Sequence, residues 1–218
     1  AANPQGSRNR MIKLLIAIPT AGMVTIDAAY SLSNACVALA KKPPPFDFEW
    51  ALSTTCGSNW IENRETIGET ALERGATHLC FIDDDMVFSE AVIPRLLARA
   101  HAGLDIVTVN YMVKQEPADT FTAIGLNGSR VRTTADSTGV EEVAANGFGV
   151  SILSTDVFRK VPQPWFLPTW NKDSGYSTED VPFFRKCREA GFKVWVDHDA
   201  SKAVAHVGRK QWSWRHAV

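Results

Sequence analysis

A chain of 218 residues with 45% hydrophobic and 22% charged content can build one substantial core and has the composition of an ordinary soluble protein. Its formal net charge of −1 excludes the basic surface that a nucleic-acid or anionic-membrane partner needs, and no apolar run approaches the roughly 20 residues of a membrane span. The four cysteines (Cys36, Cys56, Cys80, Cys187) form no CxxC pair, which argues against a zinc ribbon or disulfide framework and for a reducing, cytoplasmic setting.

Residues 1–10 are polar and patternless and precede Met11; they read as an expression remnant or a disordered lead outside the fold. Ile12 to Ile18 is an aliphatic run closed by Pro19-Thr20-Ala21-Gly22, the pattern of a buried strand. Ala28 to Ala40 predicts a helix, with Asp27 as its cap and Pro43-Pro44-Pro45 as its stop. Phe46, Phe48, Trp50 and Leu52 alternate as in a half-buried strand, and Ile61 to Arg74 has helical spacing ended by Gly75. His78 to Ile82 is a short buried strand that runs into Asp83-Asp84-Asp85. Ser89 caps a helix through Val92, Ile93, Leu96 and Leu97, and Leu104 to Val109 is a further strand. Residues 11–110 therefore read β-α-β-α-β-α-β, which predicts a mainly parallel sheet covered by helices.

The second half, 111–218, is more irregular. Residues 111–145 suit short strands or a hairpin, with Asn127-Gly128 as a turn. Asn146-Gly147-Phe148-Gly149 leads into a strand through Leu153, and Ser154 caps a short helix ending near Lys160. Residues 161–176, with Trp165, Phe166 and Trp170, read as a long functional loop. Glu179-Asp180 opens a helix ended by Gly191, and Phe192 to Val196 is a strand. One α/β domain results.

The three aspartates carry the chemistry. A strand ending in carboxylates places them at the sheet edge where open α/β folds bind ligands. In an extended chain Asp83 and Asp85 point one way and Asp84 the other. Two carboxylates on one side repel unless a cation offsets them, and a divalent ion carrying a phosphorylated ligand does so. The competing reading is an acidic, solvated turn.

Phe81-Ile82-Asp83-Asp84-Asp85-Met86 resembles the DxD motif of GT-A glycosyltransferases, which move sugars from nucleotide-sugar donors. Ile16-Ala17-Ile18-Pro19-Thr20 is similar to the first strand and nucleotide-binding turn of family-2-like members. Gly147-Phe148-Gly149, Thr178-Glu179-Asp180 and Ala205-His206-Val207-Gly208 resemble, in order, their glycine segment, their Glu-Asp helix and their late histidine. The resemblance implies a Rossmann-like nucleotide-sugar-binding half over 11–110 and an acceptor and catalytic half over 111–218.

It further implies a metal-dependent transferase with Asp85 as a direct ligand, Asp83 on the ribose or on the metal, and His206 as a nitrogen ligand. That mixed set suits manganese better than magnesium. A core or strand-end histidine bonded to a backbone carbonyl is the plain alternative for His206. Pro19, Thr20 and Ala21 border the nucleotide; Asp84, facing away, is a weaker nucleotide contact or only holds the turn. Arg64 either faces the nucleotide or is a solvated surface charge. Asp180 is the expected base, implying inversion, with Glu179 as its fallback or an acceptor partner. Their position at a helix start predicts a depressed pKa, and amide capping is the alternative role. Gly147 and Trp170 fall on the acceptor side, and Arg209-Lys210-Gln211-Trp212 is either a closing tail or a frayed end.

UDP-sugars are the default donor; the acceptor and oligomeric state carry no signal. A sugar-phosphate nucleotidyltransferase would want a basic, Gly-rich loop after the first strand, where Pro19-Thr20-Ala21-Gly22-Met23 has no basic residue. An aspartyl phosphatase would carry its nucleophile after the first strand, not the third. A non-catalytic nucleotide- or carbohydrate-binding module of the same fold stays open.

Overall fold

The structure is a computed structural model that describes residues 11–115, 119–172, 175–208 and 211–216, so the lead at 1–10 and Arg209-Lys210 lie outside the described residues. The first half runs β1 (Ile12–Thr20), α1 (Ile26–Lys41), β2 (Phe48–Cys56), α2 (Trp60–Glu73), β3 (His78–Ile82), β4 (Met86–Phe88), α3 (Val92–His101) and β5 (Ile106–Thr108). Next come β6 (Ile124–Gly125), β7 (Val140–Ala145), β8 (Val150–Ser154), α4 (Asp156–Lys160), β9 (Trp170–Asn171) and β10 (Gly175–Tyr176). The chain closes with α5 (Asp180–Glu189), β11 (Val194–Asp197), α6 (His198–Ser201), β12 (Val204–Val207) and β13 (Gln211–Trp212).

Among the described residues the central sheet has eight strands in the order β2-β1-β3-β8-β5-β11-β7-β6. β1 pairs in parallel with β2 and β3, and β5 with β11, while β8 and β7 run against their neighbours. The fold is thus a single mixed α/β domain around a large, mainly parallel sheet. β1 explains the layering by its period of two. Ile12, Leu14, Ile16 and Ile18 face one core with Leu39, Leu96 and Leu97, whereas Leu15 and Ala17 face the other with Ile67, Phe81 and Phe183.

Several local expectations change. Thr25, not Asp27, caps α1, its hydroxyl accepting from the Ala28 N–H, while Asp27 lies in the first turn. Ser89 and Ser154 stand just before their helices, accepting from Ala91 N–H and Asp156 N–H, but the residues at the caps are Ala91 and Thr155. The predicted strands at 104–109 and 192–196 shorten or shift to Ile106–Thr108 and Val194–Asp197. Asn127-Gly128 does form a turn, with Gly128 at φ 81°.

The larger difference follows Ile82. The aspartates are not extended: Asp84 and Asp85 form a turn, closed by Met86 N–H on the Asp83 carbonyl (3.2 Å), that feeds the unanticipated strand β4. β4 leaves the central sheet and joins the smaller sheet β13-β12-β4. His206 pairs with Met86 in that sheet, so strand register alone carries the late histidine to the acidic turn.

Candidate functional site

Backbone contacts from three directions pin the acidic turn. Asp83 N–H donates to the Gly149 carbonyl (2.8 Å), Thr25 N–H to the Asp84 carbonyl (3.0 Å), and Val207 N–H to the Asp85 carbonyl (2.8 Å). These bonds tie it to the segment before β8, to the start of α1 and to β12. At the end of β1, Asn63 of α2 donates to the carbonyls of Thr20 (3.0 Å) and Gly57 (2.9 Å).

These elements enclose an open cleft of about 280 Å³ lined by Pro19, Thr20, Ala21, Trp60, Arg64, Asp83, Asp84, Asp85 and His206. All three aspartates line it, so the strict alternation expected of an extended chain fails because the chain turns there. Trp60 is a cleft residue that the sequence reading missed, and it is 44% exposed. The signal available was Asn59, which caps α2 one residue before it and accepts from Glu62 N–H.

Arg64 is not a surface charge. Only 7% exposed, it donates from Nη2 to Asp83 Oδ1 (2.7 Å) and from Nε to Glu179 Oε1 (3.0 Å). Its guanidinium carbon lies 4.6 Å from the Phe148 ring centre and 5.4 Å from that of Phe81. Burial disfavours its charge, yet Asp83, Glu179 and Asp180 together outweigh burial and raise its pKa further. Arg64 Nη1 is buried without a hydrogen-bond partner, a donor in reserve beside the cleft.

Asp180 differs from expectation. Burial, then the charge and hydrogen bond of Glu179, push its pKa well above the ordinary carboxyl value, so the helix start does not depress it. Glu179 sits at the cap of α5 with no side-chain bond to the helix amides, which removes the capping role for this residue. Arg64, which lines the cleft, bonds both Asp83 and Glu179 and so sets this pair behind itself; neither Glu179 nor Asp180 lines the cleft.

On the outer side, Asp85 Oδ1 faces His206 Nε2 at 3.2 Å and Asp85 Oδ2 meets Lys114 Nζ. Burial raises the Asp85 pKa, but hydrogen bonds from His206 and Lys114 outweigh it and hold the carboxyl below its usual range. Asp84 moves the other way: burial raises it, and the Thr20 hydroxyl offsets only part of that. His206 Nδ1 lies 3.2 Å from the Met112 carbonyl, which can only accept, so Nδ1 carries a proton and Nε2 is the nitrogen turned to Asp85. Anchoring Nδ1 on a backbone carbonyl is one feature of metal-ligating histidines, while Nε2 here contacts the Asp85 carboxylate. The contact with Met112 is the one that the plain reading of His206, a histidine bonded to a backbone carbonyl, expects.

Among the described residues no three His, Cys, Asp or Glu side chains form a metal cage. Asp85 and His206 fit instead a divalent ion that takes two protein ligands and completes its shell with phosphate and water.

The acceptor candidates lie elsewhere. Gly147 is buried, and a Cβ there would come within 2.2 Å of the Tyr111 hydroxyl; the residue makes room for that ring. Trp170 is 62% exposed on the two-stranded β9–β10 ribbon and does not line the cleft. Trp165 is core, 3% exposed, and donates to the Val161 carbonyl (2.8 Å). The backbone of Gln211–Trp212 folds back antiparallel to β12, so this part of the tail is not frayed.

No protein-family model matches the chain, and no curated protein matches it. Among solved structures it is similar to the crystal structure of A197 from STIV, at a TM-score of 0.61 and 20% identity, over 90% of this chain and 86% of that one. UDP-glucose pyrophosphorylase complexed with UDP-glucose gives 0.47 and 12%, over 86% of this chain and 90% of that one. CMP:2-keto-3-deoxy-manno-octonic acid synthetase complexed with CTP gives 0.46 and 11%, over 84% and 88%. The first likeness alone is close enough to show a shared fold.

Proposed function

We propose that this chain is a GT-A-type glycosyltransferase that moves a sugar from a nucleotide-sugar donor, with a UDP-sugar as the default, to an acceptor hydroxyl. One observation carries the reading: a single cleft at the carboxyl edge of the sheet collects the β1 turn, the three aspartates, His206 and Arg64. Pro19, Thr20 and Ala21 border the nucleotide, with Asp84 beside them. Asp85 and His206 would hold a manganese or magnesium ion, with Asp83 nearby on Arg64. When bound, that ion neutralises the charge that develops on the departing diphosphate.

Asp180 takes the proton from the acceptor hydroxyl, on the side away from the diphosphate, and the product is inverted. Burial raises its pKa instead of depressing it, so the carboxyl must lose a proton before it can act as the base. Glu179 and Arg64 position Asp180, and Glu179 shares a hydrogen bond with it.

The test is calorimetric titration with UDP, GDP, CDP and ADP and the matching nucleotide-sugars, each with and without manganese. Tight binding of one nucleotide only in the presence of metal supports the reading. Indifference to every nucleotide overturns it, and binding with no glycosyl transfer leaves a binding module of the same fold.

A further inference from the structure

The acidic turn already has cations of its own. Arg64 holds Asp83, and Lys114 reaches Asp85 from a different part of the chain. The base of the lysine's segment is fixed. Met112 is fully buried and bridges Phe121, its carbonyl accepts from His206, and Val113 N–H donates to the Thr120 carbonyl (3.0 Å). Lys114 is 35% exposed at its side chain, so a flexible stem carries its ammonium from a rigid base to the rim of the site. His206 and Lys114 therefore converge on the two oxygens of one carboxylate.

A divalent ion on Asp85 would stand beside that ammonium, and two cations on one carboxylate repel. A diphosphate reverses the sign, because its oxygens offer the ammonium a new partner next to the metal. Building on the glycosyltransferase reading, we propose that Lys114 competes with a divalent ion for Asp85 and passes to the phosphate oxygens when ion and nucleoside diphosphate arrive together. Metal alone is then disfavoured and the metal–diphosphate pair favoured, a coupling that acts equally on both ligands. Lys114 is a binding and specificity residue in this scheme; no bond is made or broken through it.

The experiment titrates Mn2+ alone, and UDP, GDP, CDP and ADP each with Mn2+, into the parent protein, Lys114→Met and Lys114→Arg, with thermal melts to verify folding. Lys114→Met is expected to bind Mn2+ alone about fivefold or more tightly than the parent. It should bind the favoured diphosphate with Mn2+ about fivefold or more weakly, while Lys114→Arg stays close to the parent in both. Equal Mn2+ affinity in parent and Lys114→Met overturns the competition. A diphosphate that binds both equally well overturns the phosphate role of Lys114 alone. If none of the four binds any of the proteins with Mn2+, the glycosyltransferase reading falls, and the diphosphate role of Lys114 falls with it.

Discussion

Two arginine–carboxylate clusters in this fold use the same chemistry to different ends. On the α3–α6 side, Asp197 is fully buried and accepts from Arg95 Nε (2.9 Å), Arg99 Nε (2.8 Å) and Ala200 N–H (2.9 Å). Asp199 pairs with Arg95 and accepts from Gly139 N–H. Two arginines thus face two aspartates. Burial raises the Asp197 pKa, but the Arg99, Ala200 and Arg95 hydrogen bonds outweigh it and hold the group low. At the cleft, one arginine faces three carboxyl groups, one of its nitrogens has no partner, and Asp180 keeps its proton to higher pH. The first cluster is balanced and saturated, as a structural joint is. The second is short of positive charge and of an acceptor for Nη1.

The largest expected effect tests the unbalanced cluster. Asp180→Asn replaces a carboxyl with an amide of nearly the same shape. We expect turnover to fall by about 10²–10⁴-fold, as for loss of a general base. Donor affinity by calorimetry should stay within about twofold, and at pH 4 the melting temperature should stay near that of the parent. A variant that still turns over removes Asp180 as the base.

Asp197→Ala tests the saturated cluster. It removes a buried acceptor shared by three donors, but both arginines are over a third exposed and Arg95 keeps Asp199, so urea denaturation should show a loss of about 1–3 kcal/mol. Nucleotide binding per folded molecule should not change. If binding falls in step with stability, the two clusters are not separable in the way their geometry implies.

The pH responses of the clusters have opposite signs. Asp180 has a raised folded pKa, so its contribution to stability is complete below about pH 4 and is lost as pH rises through the raised value. Asp197 has a lowered folded pKa, so its contribution is present above about pH 4 and is lost as pH falls through the lowered value. Urea melts of the parent and Asp180→Asn from pH 4 to 8 should diverge as pH rises, by at most about 1.4 kcal/mol per pH unit for one proton. Turnover should rise over the same range, because the base must first lose its proton. Parallel melts across the whole range would show that Asp180 is not held protonated by folding.

Why one cluster was visible in the sequence and the other was not follows from range. β1 and β3 are continuous apolar runs, and the turn residues after each stand beside them in the chain, so the cleft's walls were legible from local pattern. The shape of the acidic turn was not, since it is set by Gly149, Thr25 and Val207, residues distant in sequence. The direction of the Asp180 shift was misread for the same reason: the helix start was visible, but the burial that outweighs it is a property of packing. Lys114 gave no signal at all within the Thr-, Gly- and Ser-rich stretch, because its meaning comes from contact with Asp85.

The smallest expected effect lies outside both clusters and serves as their control. Trp170 presents most of its surface to solvent on the β9–β10 ribbon and shares no wall with the cleft, whereas Trp60 lines the cleft beside Arg64. Trp170→Ala should change stability by no more than about 0.5 kcal/mol, as exposed substitutions do, and leave nucleotide affinity untouched. An effect confined to the Michaelis constant for the acceptor would place the ribbon on the acceptor's path. A loss of nucleotide affinity at Trp170 would instead mean that the donor extends well beyond the cleft, and that the boundary drawn around the charge-poor cluster is too tight.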